Sequence, residues 1–533
     1  MSIGNAIYRL RTEKKLSQEQ FANLFGVSRQ SVQKWENGTF KPDIDKLIAI
    51  SRHFGVSVDS LLFDNVNPEM MARVPEPFDN NSEIDQQYGE LYGWIPYFNN
   101  LEREYKQCEA EGIDLSRYKD VFLSVSKLPV GPIKNRMAEL LFQVTMTAPC
   151  KPGYKYNEPS RWEEIRSLTR HFELKGGLPE EDVLRERVYG AWLGRCCGVY
   201  AGYVIEGAGR KEIRKLLKNS DNYPMRRYIL SGDFDEEMSE KLRFIPVDER
   251  FADRMRYIRC EDINFTVLSS RIIDVFGRDF KPADVAGAWL SYQPRDSYHG
   301  DERIIFRNLI CGYYPPDSAV YENPYRESIA AWVRADYYGY INPGDPEAAA
   351  GMAWRDACVS NVKNGIYGSM FVAAMLACAA VTDDIREIIR GGLSQIPTTS
   401  RLYESITGAI GFYDSGAAQE QFYDDLHRRY NESGETSDWD SIFPNAEIVT
   451  AALLYGKGNF GGTVSAAVQA GFDTDCNAAI VGSVLGMRAG VVGIGPEWCA
   501  PGEKLIDSNI LGVGKVSIAE MAEKTLEHIK AAK

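Results

Sequence analysis

Two aspartates one residue apart, Asp473 and Asp475, lie in the run Gly471-Phe-Asp-Thr-Asp-Cys-Asn-Ala-Ala-Ile-Val-Gly-Ser-Val-Leu-Gly486, a loop that leads into a helix of small residues. Carboxylates at i and i+2 on a loop can converge on one hard cation. A second acidic pair, Glu261 and Asp262, opens an apolar helix at Cys260-Glu-Asp-Ile-Asn-Phe-Thr266. The positive end of that helix favours their ionised form. Simple helix capping is the alternative reading of this pair. If the two pairs meet in space, four acids surround one or two divalent ions, and an all-oxygen set favours Mg²⁺ or Mn²⁺ over zinc.

A third segment is Gly190-Ala-Trp-Leu-Gly-Arg-Cys-Cys-Gly-Val-Tyr-Ala-Gly-Tyr-Val-Ile-Glu206. Gly190, Gly194, Gly198 and Gly202 recur every four residues and form a bare stripe on a helix. Each glycine weakens a helix by about 1 kcal/mol relative to alanine, so four in register point to a closely packed backbone or to a ligand pressed on the stripe. Glu206 ends the segment, either as a functional acid or as an ordinary surface one.

The N-terminus carries a different chemistry. In Leu16-Ser-Gln-Glu-Gln-Phe-Ala-Asn-Leu-Phe-Gly-Val-Ser-Arg-Gln-Ser-Val-Gln-Lys-Trp-Glu-Asn-Gly38, Ser17 and Gln20 have the spacing of a capping box. Phe21 and Leu24 make the apolar face of the first helix, and Gly26 permits a sharp turn. Ser28 caps the second helix, which turns Val32 and Trp35 inward and ends at Gly38. Two short helices around a glycine turn make a helix-turn-helix. Ile44, Leu47, Ile50, Phe54, Val58 and Leu61 are expected to fill the core behind it. Arg29, Gln30, Gln33 and Lys34 then point outward beside Ser28, long donors suited to base edges in the major groove of double-stranded DNA. The whole 62-residue pattern resembles the Cro and phage-repressor type of DNA-binding domain. Such readers pair as homodimers that span half-sites about 34 Å apart.

Charge and composition fit this division. The 533 residues are 44% hydrophobic and 26% charged, with a net charge of −14. Residues 1–53 hold nine Lys or Arg against five acids, a surplus of +4 that leaves −18 for the rest of the chain. Only the head is therefore suited to phosphates. The ten cysteines include no zinc-ribbon spacing. The longest apolar run, Met370–Val381, is short of the roughly 20 residues a membrane span needs. A cytoplasmic protein with reduced thiols and no membrane partner is expected. Periodicity gives an all-α chain: a five-helix domain at 1–65, a linker rich in Asn, Pro and acids at 66–85, a helical region at 86–180, and a large helical domain at 181–533.

The three chemical segments, in this order and spacing, resemble the ADP-ribosylglycohydrolase family over roughly residues 181–530. Supporting stretches are Pro324-Tyr-Arg-Glu-Ser-Ile-Ala-Ala-Trp-Val-Arg-Ala-Asp336, Pro343-Gly-Asp-Pro, Arg355-Asp-Ala-Cys-Val-Ser-Asn-Val-Lys-Asn-Gly-Ile-Tyr-Gly368 and Pro444-Asn-Ala-Glu447. The resemblance implies a compact all-α fold with a dinuclear Mg²⁺ centre that hydrolyses the bond between ADP-ribose and an acceptor. It implies Glu261, Asp262, Asp473, Asp475 and Cys476 as metal ligands, with Glu206 and Asp262 as catalytic acids that place or activate water. It also implies Arg334, Asp336 and Asn361 at the substrate. This sequence departs from the family pattern at Cys260 and Cys476, where Thr or Ser is usual, at Glu261 and Val199, where Asp is usual, and at Asn361, where His is usual. The departures keep a second expectation open, a non-catalytic regulator that senses ADP-ribose or a related nucleotide.

Overall fold

A computed structural model describes residues 3–56, 61, 95–234, 250–434, 436–499 and 504–531. The chain forms two compact units, Met1–Asp85 and Gln86–Lys533. Among the described residues the regular structure is α-helical, apart from short 3₁₀ turns, isolated β-bridges and one antiparallel ribbon pairing Leu505–Asp507 with Lys515–Ser517.

In the first unit the helices are Ile3–Glu13, Gln18–Leu24, Arg29–Glu36 and Ile44–Phe54. The Ser17–Gln20 capping box forms in both directions, and the Ser28 side chain accepts from the Ser31 backbone N–H. Gly26 adopts φ +62°, the left-handed turn that joins the two reader helices. Ile7, Phe21, Val32 and Ile50 are fully buried in a single core with Trp35 and Leu47. Two expected core residues lie outside. Leu24 is 45% and Ile44 70% exposed, because each sits at a helix end where the apolar face has already turned from the core. The fifth expected helix falls on residues of which Leu61 alone is described; it is helical and buried. Val58 and the 66–85 stretch lie outside the described residues.

The second unit is organised by the glycine stripe. The Glu181–Gly202 helix runs antiparallel to the Thr474–Ala489 helix, so that Gly190 faces Gly486, Gly194 faces Gly482, Gly198 faces Ala478 and Gly202 faces Thr474. A Cβ on Gly194 would stand 2.2 Å from the Gly482 carbonyl oxygen, and one on Gly482 would stand 2.2 Å from that of Gly194. The two backbones touch, and this close packing accounts for the stripe without a ligand. Alongside runs the Lys363–Ala379 helix, buried at every residue from Asn364 to Ala379. The longest apolar run of the sequence is therefore core. No described helix is long and apolar enough to cross a membrane.

Residues 95–167 belong to the same unit. Their helices, including Leu101–Ala110, Lys119–Ser126 and Pro132–Thr147, enclose a small core around Leu101, Leu115, Phe122 and Leu141. Buried ion pairs join this segment to the large domain. Arg326 binds Glu104 at 3.0 Å and Glu111 at 2.6 Å, Arg401 binds Glu158 at 2.7 Å, and Lys363 binds Glu111. Breaking one partner of such a pair costs about 3–5 kcal/mol, because the other charge is left buried alone.

Candidate active site

Three helix ends meet at one place. The Glu181–Gly202 helix passes through the 3₁₀ turn Tyr203–Ile205 to Glu206. Asp473 caps the Thr474–Ala489 helix by accepting the Cys476 backbone N–H at 3.1 Å, and Asp475 lies in that helix's first turn. Glu261 and Asp262 lie in the first turn of the Glu261–Phe276 helix. Gly471 and Phe472 both take positive φ, +80° and +57°, which bends the chain sharply just before Asp473. A Cβ on Gly202 would lie 2.3 Å from Thr474 backbone atoms, so the glycine contact also fixes where Asp475 stands relative to Glu206.

The acids line a single cavity of about 300 Å³ with Cys476, His299, Asp301, Glu302, Asp440 and Arg103. One ligand atom each from Cys260, Asp262 and Asp475 lie within 4.8 Å of one another, and so do atoms of Asp473, Asp475 and Cys476. Acids some two hundred positions apart in the sequence are neighbours here. Such crowding is costly for ionised groups. Burial, with Glu261 and Asp473 adding repulsion, pushes Glu206 up to about 8 even though Arg250 lies 3.3 Å from it. Burial and Glu261 push Asp262 up to about 7. Burial raises Asp473, and burial with Glu206 and Asp473 raises Asp475 further. In the metal-free chain desolvation outweighs the helix N-terminus at Asp262, whose carboxyl is raised although it lies in the first turn. The Asp475 Oδ1 atom is buried without a hydrogen-bond partner. Convergent raised carboxyls with an unpartnered oxygen are a donor set that a hard divalent cation fits.

Cys476, expected as a metal ligand, stands in the group with Asp473 and Asp475 and also bonds to a neighbouring acid. Its Sγ donates to Asp262 Oδ2 at 3.0 Å, and burial among carboxylates raises the thiol well above its usual range. A protonated thiol supports Asp262 and is a poor ligand for a hard ion.

The three residues expected at the substrate lie behind the cavity wall and do not line it. Arg334 is buried against Asp356 at 2.6 Å and donates to the Ala330 carbonyl and the Ser360 hydroxyl. Asp336 is buried 2.9 Å from Arg195, which also donates to the carbonyls of Asp262 and Val333. Asn361 donates to the Ser328 carbonyl at 2.9 Å and so holds the loop that carries Ser328. Two of these partnerships support the site indirectly, since Asp262 and Val333 line the cavity. Sequence reasoning missed His299, Asp301, Asp440 and Arg103. The His299-Gly-Asp-Glu302 run, with one of only five histidines, was a readable signal. Arg103 had none, because it lies on a charge-dense helix outside the recognised segments.

In the first unit, Ser28, Arg29, Gln30, Gln33 and Lys34 are all exposed, while Val32 and Trp35 anchor their helix. Arg11 pairs with Glu36 at 2.5 Å and ties the end of the reader helix to the first helix.

Comparison with known proteins follows the same division. The ADP-ribosylglycohydrolase family model matches residues 180–532. The chain belongs to the ADP-ribosylglycohydrolase family. A helix-turn-helix model matches residues 7–61, so a helix-turn-helix unit is fused to the family domain. Curated relatives match at the N-terminus. The HTH-type transcriptional activator BcrR of Enterococcus faecalis is 36% identical over 93 residues, 17% of this chain and 43% of that protein. The SPbeta prophage-derived uncharacterized HTH-type transcriptional regulator YonR of Bacillus subtilis (strain 168) is 39% identical over 59 residues, 11% of this chain and 55% of that protein. The chain thus spans about half the length of these curated relatives. A solved chain from an ADP-ribosylglycohydrolase-related protein complex aligns with 16% identity and a TM-score of 0.41, over 66% of this chain and 100% of that one.

Proposed function

We propose that this ADP-ribosylglycohydrolase-family protein is a DNA-binding regulator whose large unit hydrolyses the bond between the anomeric carbon of ADP-ribose and a protein or small-molecule acceptor. The observation that carries the reading is the convergence of Glu206, Glu261, Asp262, Asp473 and Asp475 on one cavity, with a buried Asp475 oxygen left without a partner. Glu261, Asp262, Asp473 and Asp475 would hold two divalent ions, Mg²⁺ or Mn²⁺. Bound there, the ions would orient ribose hydroxyls and make water more acidic. Cleavage at the ribose builds positive charge on the sugar ring, and the surrounding carboxylates favour that charge. Glu206 is the candidate for proton exchange with the attacking water. In the metal-free chain burial and the neighbouring acids push it up to about 8, and a carboxyl within reach of the water can take and give a proton. Arg250, 3.3 Å away, orients it. The Cys476 thiol orients Asp262 through their hydrogen bond. The reader helix binds double-stranded DNA through Ser28, Arg29, Gln30, Gln33 and Lys34, with two copies of the chain on paired half-sites.

The test is release of ADP-ribose from an ADP-ribosylated acceptor in Mg²⁺, followed by chromatography. The intact chain turns over, and the Asp473→Ala, Asp475→Ala double variant does not. Failure of the intact chain to turn over overturns the hydrolase reading. A second reading has its own support in Cys260 and Cys476, two buried and protonated thiols at the edge of the acidic cluster. It makes the domain a sensor that binds an ADP-ribose-like nucleotide without cleaving it. Its signature is ADP-ribose-dependent DNA affinity in a gel-shift assay, with no product formed.

A further inference from the structure

The acidic cavity adjoins a second cavity of about 180 Å³, and the two share Arg103, Tyr325, Ser437 and Asp440 in their walls. Arg103 stands in the wall common to both. Its guanidinium lies 4.3 Å over the Tyr325 ring, its Nη1 donates to Asp440 at 3.0 Å, and its Nη2 donates to the Ser437 carbonyl. Its Nε is buried without a hydrogen-bond partner. The other charged residues described in the wall of the first cavity are acids: Glu206, Glu261, Asp262, Asp301, Glu302, Asp440, Asp473 and Asp475. Among the described residues, Arg103 is the one Lys or Arg in that wall.

This arrangement poses a problem for the ligand. ADP-ribose carries two negative charges on its diphosphate, and like charges brought together at an interface cost several kcal/mol. Divalent ions held by the inner acids would offset charge at the ribose, burial raises the carboxyls of Asp301 and Glu302, and Asp440 is paired with Arg103, so the diphosphate still meets no described Lys or Arg in that wall other than Arg103. A ligand with its ribose at the inner acids, too long for the first cavity, would meet Arg103 where it extends toward the second cavity, whose wall Arg103 shares. The guanidinium there is already oriented by a ring face and two hydrogen bonds, and its planar fork matches phosphate oxygens. Arg103 also lies outside residues 180–532, the part of the chain that matches the family. The family domain by itself supplies no described Lys or Arg to that wall.

We propose that Arg103, contributed by the Leu101–Ala110 helix of the preceding segment, binds the diphosphate of the ADP-ribosyl ligand and so makes residues 95–167 part of the substrate site. The inference rests on the ADP-ribose reading above and adds a recognition residue to it.

The test is calorimetric titration of the full-length chain with ADP-ribose in Mg²⁺, beside a separate titration with Mn²⁺ alone. Loss of a charged hydrogen-bonding partner weakens binding about 10- to 100-fold. Arg103→Ala is expected to lose ADP-ribose affinity on that scale and keep its Mn²⁺ affinity. Arg103→Lys, which keeps the charge but not the fork, falls between it and the parent chain. Asp440→Asn removes the ion pair and frees the guanidinium, so it tightens ADP-ribose binding. Three results overturn the proposal and leave the ADP-ribose reading standing: Arg103→Ala binding as tightly as the parent chain, Asp440→Asn losing as much affinity as Arg103→Ala, or Arg103→Ala losing Mn²⁺ in parallel. A parent chain that binds Mn²⁺ but no ADP-ribose overturns the reading and the proposal together.

Discussion

Eight carboxyls around one small cavity give the metal-free chain a distinctive dependence on pH. Glu206 moves from an ordinary value of about 4.3 up to about 8 in the folded chain, and Asp262 moves up to about 7. The folded state therefore binds more protons than the unfolded state across the intervening range. With that sign, stability is highest at low pH and falls as pH rises towards the folded values, with a slope of at most about 1.4 kcal/mol per pH unit for each such carboxyl. Thermal unfolding in a chelator should give a lower Tm at pH 8.5 than at pH 5.5, and Mg²⁺ should flatten the difference. Asp475→Asn should act in opposite directions on two measurements. It removes the cost of burying an ionisable group with an unpartnered oxygen, so the chelated protein melts at a higher temperature at pH 8. It also removes a metal ligand, so Mn²⁺ titration shows weakened binding.

At the scale of elements, the glycine contact carries both stability and site geometry. Gly198→Ala would place a methyl 2.1 Å from the Ala478 carbonyl oxygen, and Gly202→Ala would place one 2.3 Å from Thr474. Overpacking of this kind costs about 1–3 kcal/mol. Denaturant unfolding should show that loss in both variants. Gly202→Ala should lose more Mn²⁺ affinity than Gly198→Ala, because its clash displaces the start of the helix that bears Asp475. This element was partly legible in the sequence. A four-residue glycine period announces a backbone contact, and Asp473-Thr-Asp475 announces a loop of acids. The partners of buried charges were not legible. Arg334 and Asp336 read as cleft residues because the family resemblance implies that place for their stretch, yet Asp356 and Arg195 hold them behind the wall. Asp262 read as ionised because its helix end is local, whereas the burial that raises it comes from the whole fold. Ile44 and Leu24 show the same limit from the apolar side, since residue type alone does not fix where a helix face stops meeting the core.

At the scale of the molecule, the reader can be tested apart from the chemistry. Gln33→Ala in the full chain should lose about 1–3 kcal/mol of specific DNA binding if Gln33 meets a base edge. Lys34→Ala should weaken binding to all sequences alike and make it less sensitive to salt if Lys34 meets a phosphate. Fluorescence anisotropy with cognate and scrambled duplexes at several salt concentrations separates the two.

The buried ion pairs between residues 95–167 and the large domain bear on where this polypeptide can be divided. A fragment beginning at residue 181 would keep Arg326, Lys363 and Arg401 inside but leave Glu104, Glu111 and Glu158 on the discarded piece. Arg326 and Lys363 would then lose their carboxylate partners and Arg401 would keep Glu327 alone, and such a fragment should aggregate where one beginning at residue 86 stays dispersed. The seam that matters to a protease, a cloning primer or a gene fusion is upstream of Ile95, not at the start of the recognised family.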